Sequence, residues 1–242
     1  MSLQSQLAGS FLLMGLIVAA VGGISWQGTT KLSKEVNTLS DTALPSISGL
    51  WAINEGQTQI EASELRLLDP DLGTAEQQAA EDRIRAAWQQ IDEGFKRYEA
   101  TSRTEEEEER YQSLVQTWAA WKQNHQQYMD RYEQWAALEE GNASSGQTNT
   151  AFKALNAQGQ ANKASFDAAT TDLLDLIEIN EAVGKAAAES AKSVAELTQF
   201  WSATGAVAGF SSALGLGLVL SIAIAKPLGR KVSGVIKSVV SS

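Results

Sequence analysis

Residues 1–30 and 197–225 contain no Asp, Glu, Lys or Arg, and each stretch exceeds the ~20 apolar residues that cross a hydrocarbon core. A charge-free stretch of that length near each end, with a polar middle between them, restricts the chain to a small set of architectures. The first stretch lacks the basic start and the small-residue cleavage pattern of a secretory signal peptide, so both are expected to span a membrane.

Charge gives the expected orientation. All 29 acidic residues and fifteen of the 19 basic ones lie between Lys31 and Glu196, which leaves that segment at −14. Lys226, Arg230, Lys231 and Lys237 follow the second span with no acid among them. Basic residues just beyond a span mark the cytoplasmic side, so the acidic middle is expected outside and both termini inside. Trp26 and Trp201 agree, because each sits at the outward end of its span, where an indole rests at headgroup level.

Between the spans the composition is that of helices. The chain is 43% hydrophobic with only 3 prolines and no cysteine, and its apolar residues recur at three- and four-residue steps rather than alternating. The lack of cysteine removes disulfides, thiolate metal sites and thiol catalysis. An outer charge of −14 disfavours nucleic acid, which needs a basic footprint. No Gly-rich phosphate loop, metal-ligand cluster or nucleophile with a base is present, so neither an enzyme nor a cofactor is expected.

Four helices are predicted in the middle. Helix one continues out of the first span, with Val36, Leu39, Ala43, Leu50, Ile53, Ile60 and Leu67 on one seam, and ends at Asp69-Pro70-Asp71-Leu72-Gly73. Thr74 with Gln77 makes a capping box for helix two, whose seam is Ile84, Trp88, Ile91, Phe95 and Tyr98. Thr104 with Glu107 makes another for helix three, and Glu105 to Glu109 read as a solvated first turn. Helix three has the most regular seam: Tyr111, Leu114, Trp118, Trp121, His125, Tyr128, Tyr132 and Trp135. Gly141-Asn142-Ala143-Ser144-Ser145-Gly146 closes it as a loop whose Asn142-Ala143-Ser144 matches a glycosylation acceptor by chance composition.

Helix four starts near Thr148, and its seam Phe152, Leu155, Gly159, Phe166, Ala169, Leu173, Leu176, Asn180, Val183, Ala187, Val194, Leu197 and Trp201 keeps register into the second span. As one rod from Thr148 to Ala225 it would measure ~117 Å. Within the span, Gly205, Gly209, Ala213, Gly217 and Ser221 form a small-residue stripe suited to helix packing in the membrane, echoed by Gly15, Ala19 and Gly23.

Taken together, Leu44-Pro45, Arg66-Leu67-Leu68-Asp69, and Ala225-Lys226-Pro227-Leu228 followed by Val232, Val235, Ile236 and Val239 resemble segments of bacterial methyl-accepting chemotaxis receptors and the wider four-helix-bundle sensor family. The resemblance implies an all-α, membrane-anchored antiparallel four-helix bundle whose two transmembrane helices are continuous with bundle helices one and four. Its divisions would be a cytoplasmic N-terminus at 1–6, a first span at 7–26, an outer sensor bundle at 27–200, a second span at 201–225 and the start of a HAMP-like linker at 226–242. It implies an inner-membrane homodimer that detects a small, anionic ligand outside and signals through helix four, with a cytoplasmic kinase and coupling protein as partners if a full receptor follows. The stretch Lys226 to Ser242 is shorter than a complete HAMP unit and signalling hairpin. A ligandless membrane adaptor or dimerisation module, or the front end of a histidine kinase or cyclase, fits the same layout.

In the family, arginines on helix one clamp a ligand carboxylate at the dimer interface. Here that role would fall to Arg66, with Thr148 and Thr150 of helix four facing it, although Gln57, Ala62 and Ser63 stand where further arginines would be expected. The alternatives are an ion pair of Arg66 with Glu61, Glu64 or Asp69, and plain helix capping by the threonines. His125, the only histidine, is either a pH-titrating or ligating group or a hydrogen-bonded core residue. Gln57, Glu64 and Asn180 are expected to be buried polar residues that set helix register.

The orientation has a direct check. Single cysteines placed at Ser144 and at Ser238 should differ toward an impermeant thiol reagent in intact cells, Ser144 labelling and Ser238 not; the reverse pattern would invert the topology.

Overall fold

The computed structural model describes residues 3–69, 71–141 and 143–240, with side chains at 5, 8–69, 71–141, 143–219 and 221–222. Pro70, Asn142 and the side chains of the Ala225-Lys226-Pro227-Leu228 segment and of Val232 to Val239 lie outside the described residues. Every described element is helical: α1 (Leu3–Asn37), a π-helical turn (Thr38–Ala43), α2 (Leu44–Leu67), α3 (Thr74–Glu99), α4 (Glu105–Glu140) and α5 (Ser145–Val240). They form two compact units, one of Asn37–Ala187 and one of Met1–Val36 with Ala188–Ser242.

The Asn37–Ala187 unit is a bundle of α2, α3, α4 and the first part of α5. Partners between α2 and α3, such as Ser48 with Arg97 and Glu55 with Gln90, rise on one helix as they fall on the other, so the two run antiparallel. Between α4 and α5 the same holds for Ser113 with Asp172 and Asn124 with Ser165. Glycine lets α2 and α3 approach closely: a Cβ on Gly49 would lie 2.7 Å from the Gly94 carbonyl, and one on Gly56 2.6 Å from Ile91. That close approach was not read from the seams, which counted large apolar residues only.

All eight residues of the α4 seam are buried. On α2, Leu50, Ile53, Ile60 and Leu67 are buried with Ala43 just before them, whereas Val36 is exposed. On α3, Trp88 and Phe95 are half-buried against the core formed by Ile84, Ile91 and Tyr98. On α5 the seam is buried from Leu155 to Ala187 with Gly159 and Val183 half-buried, while Phe152, Leu197 and Trp201 are exposed.

Two helix starts differ from expectation. Gly73, not Thr74, precedes α3, and its N–H is accepted at 3.3 Å by Glu76, one residue before Gln77. Gly73 keeps an ordinary extended backbone, φ −69°, so no glycine-specific turn is made there. At α4, Thr104 accepts from the Glu107 N–H at 3.2 Å as predicted, but the Glu107 side chain turns into the core instead of reaching back.

Pro45 explains the π-turn. Placed at the first turn of α2 with no N–H to donate, its ring would press on the carbonyl four residues back in an unbroken α-helix. The chain widens instead, and the Leu44 N–H reaches Leu39, five residues back.

In the second unit, α1 and the later part of α5 pair antiparallel. Ser25 and Ser202 hydrogen-bond at 2.8 Å and Ser190 donates to Glu35 at 3.0 Å. Gly28 packs on Thr198 and Gly205 on Val21, both so closely that neither has room for a Cβ, and a Cβ on Gly209 would lie 3.7 Å from Ile17. Ala213 is half-buried, whereas Gly217 and Ser221 are exposed and a Cβ on Gly217 would meet nothing within 4 Å. Gly15, Ala19 and Gly23 of α1 are exposed, and the face that meets α5 is Ile17, Val21, Ser25 and Gly28. Both helices carry windows apolar enough to cross a membrane, with mean hydropathy 2.0 and 1.4 and none of it buried.

Trp121 is 1% exposed among Trp88, Trp118, His125 and Phe166. Trp121→Ala in a 27–200 fragment should lower stability by about 3–5 kcal/mol, read as a fall in urea midpoint at unchanged slope; a midpoint within error of wild type would show that this seam is not core.

Candidate functional site

One polar cluster in the bundle core draws a residue from each of the four helices: Glu64 of α2, Trp88 of α3, His125 of α4 and Asn162 of α5. Glu64, His125 and Asn162 are each 5% exposed. The Trp88 indole N–H donates to His125 Nε2 at 3.3 Å. An indole nitrogen is donor only, so the histidine proton must sit on Nδ1, from which it donates to Glu64 Oε1 at 2.5 Å. Asn162 Nδ2 donates to both carboxylate oxygens, at 3.0 and 2.8 Å. Tyr128 donates to the Glu64 carbonyl at 3.3 Å.

These bonds hold a carboxylate out of water. A buried carboxylate is costly unless its oxygens find donors, and the two it finds come from different helices. Trp88 stacks on Trp121 with centroids 5.2 Å apart and lies 5.4 Å from the His125 ring, which fixes the imidazole plane. His125 is thus a hydrogen-bonded core residue with a defined tautomer, and among the described residues no group of acidic and histidine side chains could hold a metal ion.

Asn162 has a further property: its Oδ1 is buried without a hydrogen-bond partner. The same stretch of α5, with Glu61, Glu64 and Leu65 of α2 and Tyr128 of α4, borders a cavity of about 280 Å³. Asn162 was not singled out from sequence, although it lies between the seam residues Gly159 and Phe166 at helical spacing.

A second buried carboxylate lies elsewhere in the bundle. Glu107 is 2% exposed and accepts from Tyr98 at 2.9 Å and from Asn180 of α5 at 2.8 Å. It lies inside the acidic run read as solvated, and the burial corrects that reading for this one residue. Between the two carboxylates, Gln57 donates to the Phe166 carbonyl at 3.3 Å and accepts from Thr170 at 3.2 Å, while Asp172 accepts from Ser113 at 3.0 Å and Thr117 at 2.8 Å. Gln57, Glu64 and Asn180 are all buried. α5 is therefore tied to its neighbours by polar contacts from Asn162 to Asn180.

The other candidates sit away from this core. Arg66 is about half exposed and pairs with Glu76 at 3.0 Å across the α2–α3 turn, rather than with Glu61, Glu64 or Asp69. Thr150 is exposed and donates to the Gly146 carbonyl at 2.8 Å, and half-buried Thr148 donates to Ser144 at 3.4 Å.

A bundle whose first and last helices continue into apolar segments, with its core bonded to the last of them, matches a known module. The family model described as a four-helix-bundle sensory module for signal transduction covers residues 1–195. The chain belongs to that family. No curated protein and no solved structure matches it. The match takes in the leucine–proline and arginine segments of helix one and runs through α5 well past Asn180.

The four tyrosines of this sensory module report on its core. Burial, with the Glu107 carboxylate next, pushes Tyr98 far above the ordinary phenol value, and burial with Glu64 does the same to Tyr128. Burial and the Glu99 hydrogen bond push Tyr111 up to about 12, and burial raises Tyr132. Phenols that stay protonated in the fold while the unfolded chain releases its protons favour unfolding, so stability should hold below pH ~10 and fall as pH rises above it. In an absorbance titration, Tyr98 and Tyr128 should release their protons only together with loss of helix, whereas in urea all four tyrosines should titrate near pH ~10; a native step of four-tyrosine amplitude near that pH would place those rings in water.

Proposed function

We propose that this chain is the front of a membrane sensory receptor: its bundle detects an extracellular signal and α5 carries that signal through the second apolar segment. The observation that carries this reading is the polar ladder on α5, where Asn162, Thr170, Asp172 and Asn180 bond to α2 and α4 on the same helix that contains the apolar stretch. A stimulus that changes any of these contacts changes how α5 is held, and a small displacement of a packed helix is a recurrent signalling output.

In this reading α1 and α5 span the inner membrane, residues 27–200 lie outside, and both termini are in the cytoplasm. A ligandless adaptor shares the anchoring but leaves the ladder without a task, whereas the sensor front end of a histidine kinase or cyclase would use it in the same way. Two copies pair along α2. Leu44, Trp51 and Leu65 recur at heptad spacing on its face away from the core, with Trp51 47% and Leu65 65% exposed, a pattern suited to a coiled-coil seam with a second copy. Arg66 borders that seam, and a small anion between copies would take its guanidinium from Glu76, with Thr148 and Thr150 of the other copy nearby.

A chimera joining this chain to the kinase-controlling half of a chemoreceptor tests the proposal. Asn180→Leu, which frees α5 from Glu107, should change basal kinase output by roughly several-fold with the helical content retained, and Thr58→Cys on the α2 seam should give a disulfide-linked dimer. Unchanged output with a folded bundle would remove α5 from the signalling path, and no cross-link at Thr58 would remove the pairing.

A further inference from the structure

The cavity beside Glu64 is bordered by a residue, Asn162, with one buried acceptor left unpartnered. Asn162 has to present its NH2 to the Glu64 carboxylate, because turning the amide over would set Oδ1 against carboxylate oxygens. That leaves Oδ1 buried and without a donor, which native cores avoid. Two carboxylates, those of Glu61 and Glu64, border the space, and so do the exposed amide residues Asn156 and Gln160. Its single cation, Lys163, is already held by Glu61 at 3.3 Å and Asp167 at 2.6 Å, with its ammonium 4.9 Å from the Phe166 ring. Tyr128, Phe166, Leu65 and Leu68 supply the apolar walls.

A space of about 280 Å³ suits a ligand below drug size. What its buried wall lacks is a donor for Asn162 Oδ1, and its lining combines two carboxylates with two aromatic rings. We propose that this cavity, inside a single copy of the bundle, binds a small primary ammonium compound with a compact apolar body. The ammonium donates to Asn162 Oδ1 and faces the carboxylates of Glu64 and Glu61, and the apolar body lies against Tyr128, Phe166 and Leu65. Because Asn162 is on α5 and Glu64 is on α2, the ligand touches both sides of the contact that ties the two helices. The site extends the sensory reading to a stimulus distinct in charge and place from an anion at Arg66, and binding is measurable whether or not α5 relays it.

The probe is phenethylammonium, titrated into the full chain in lipid nanodiscs and followed by thermal shift and calorimetry, with 3-phenylpropionate as the anion of similar shape. Phenethylammonium should raise the melting temperature and 3-phenylpropionate should not, since a ligand bound by the folded state alone stabilises it. Gly159→Leu fills the cavity from α5, where a Cβ would meet only the Tyr128 ring at 3.6 Å, and leaves the Glu64 cluster intact. It should weaken binding at least about tenfold. Asn162→Leu should do the same; if that variant fails to fold, Gly159→Leu decides alone. Equal shifts by both probes, no shift by phenethylammonium at millimolar concentration, or wild-type binding by Gly159→Leu would each overturn the site. A binding result with no change in kinase output from the chimera would leave the site standing and count against the relay.

Discussion

Burying two carboxylates inside a helical bundle is the constraint on which the rest depends. Glu64 and Glu107 sit in different layers of the core, and each is satisfied in part by an asparagine of α5, Asn162 for the first and Asn180 for the second. A carboxylate deprived of donors in such a setting costs several kcal/mol, so the two asparagines fix where α5 can sit. A slip of one helical turn, about 5.4 Å, would strand both acids at once. Apolar packing alone is more forgiving, because one leucine replaces another along a seam with little penalty. The polar contacts therefore decide register, and the aromatic layer of Trp88, Trp118 and Trp121 packs around His125 beside them.

The helical architecture was legible because a seam of large residues at three- and four-residue spacing has one structural meaning. α4 is the clearest case: all eight residues read from periodicity are buried. Gln57, Glu64 and Asn180 could be picked out because they are polar residues on apolar seams. Asn162 and Asp172 lie on or beside the α5 seam and were passed over, since a seam is recognised by its apolar members. Glu107 was hidden for another reason. It stands in a run of five glutamates, and nothing local separates the one that points inward from its exposed neighbours; only the positions of Tyr98 and Asn180 do so.

The two apolar helices show the same division between pattern and contact. A stripe of small residues on the second apolar segment could be seen in the sequence, and Gly205 and Gly209 do meet α1. The facing surface of α1 is not its own small-residue stripe but Ile17 and Val21, with Ser25 and Gly28 continuing it. Small residues on one helix are met by branched ones on the other, and the glycines of α5 leave the room those side chains need.

The π-turn at Thr38–Ala43 adds one residue to the helical count. Heptads counted from the α1 side and from the α2 side are therefore out of phase across it, and of two residues on what looked like one seam Val36 is exposed and Ala43 buried. For anyone aligning distant members of this family, the segment before Pro45 is a frame-shift in structural rather than coding terms. Chains that lack the proline are expected to lack one residue there, and an ungapped alignment through the segment would pair inward-facing positions of one protein with outward-facing positions of another.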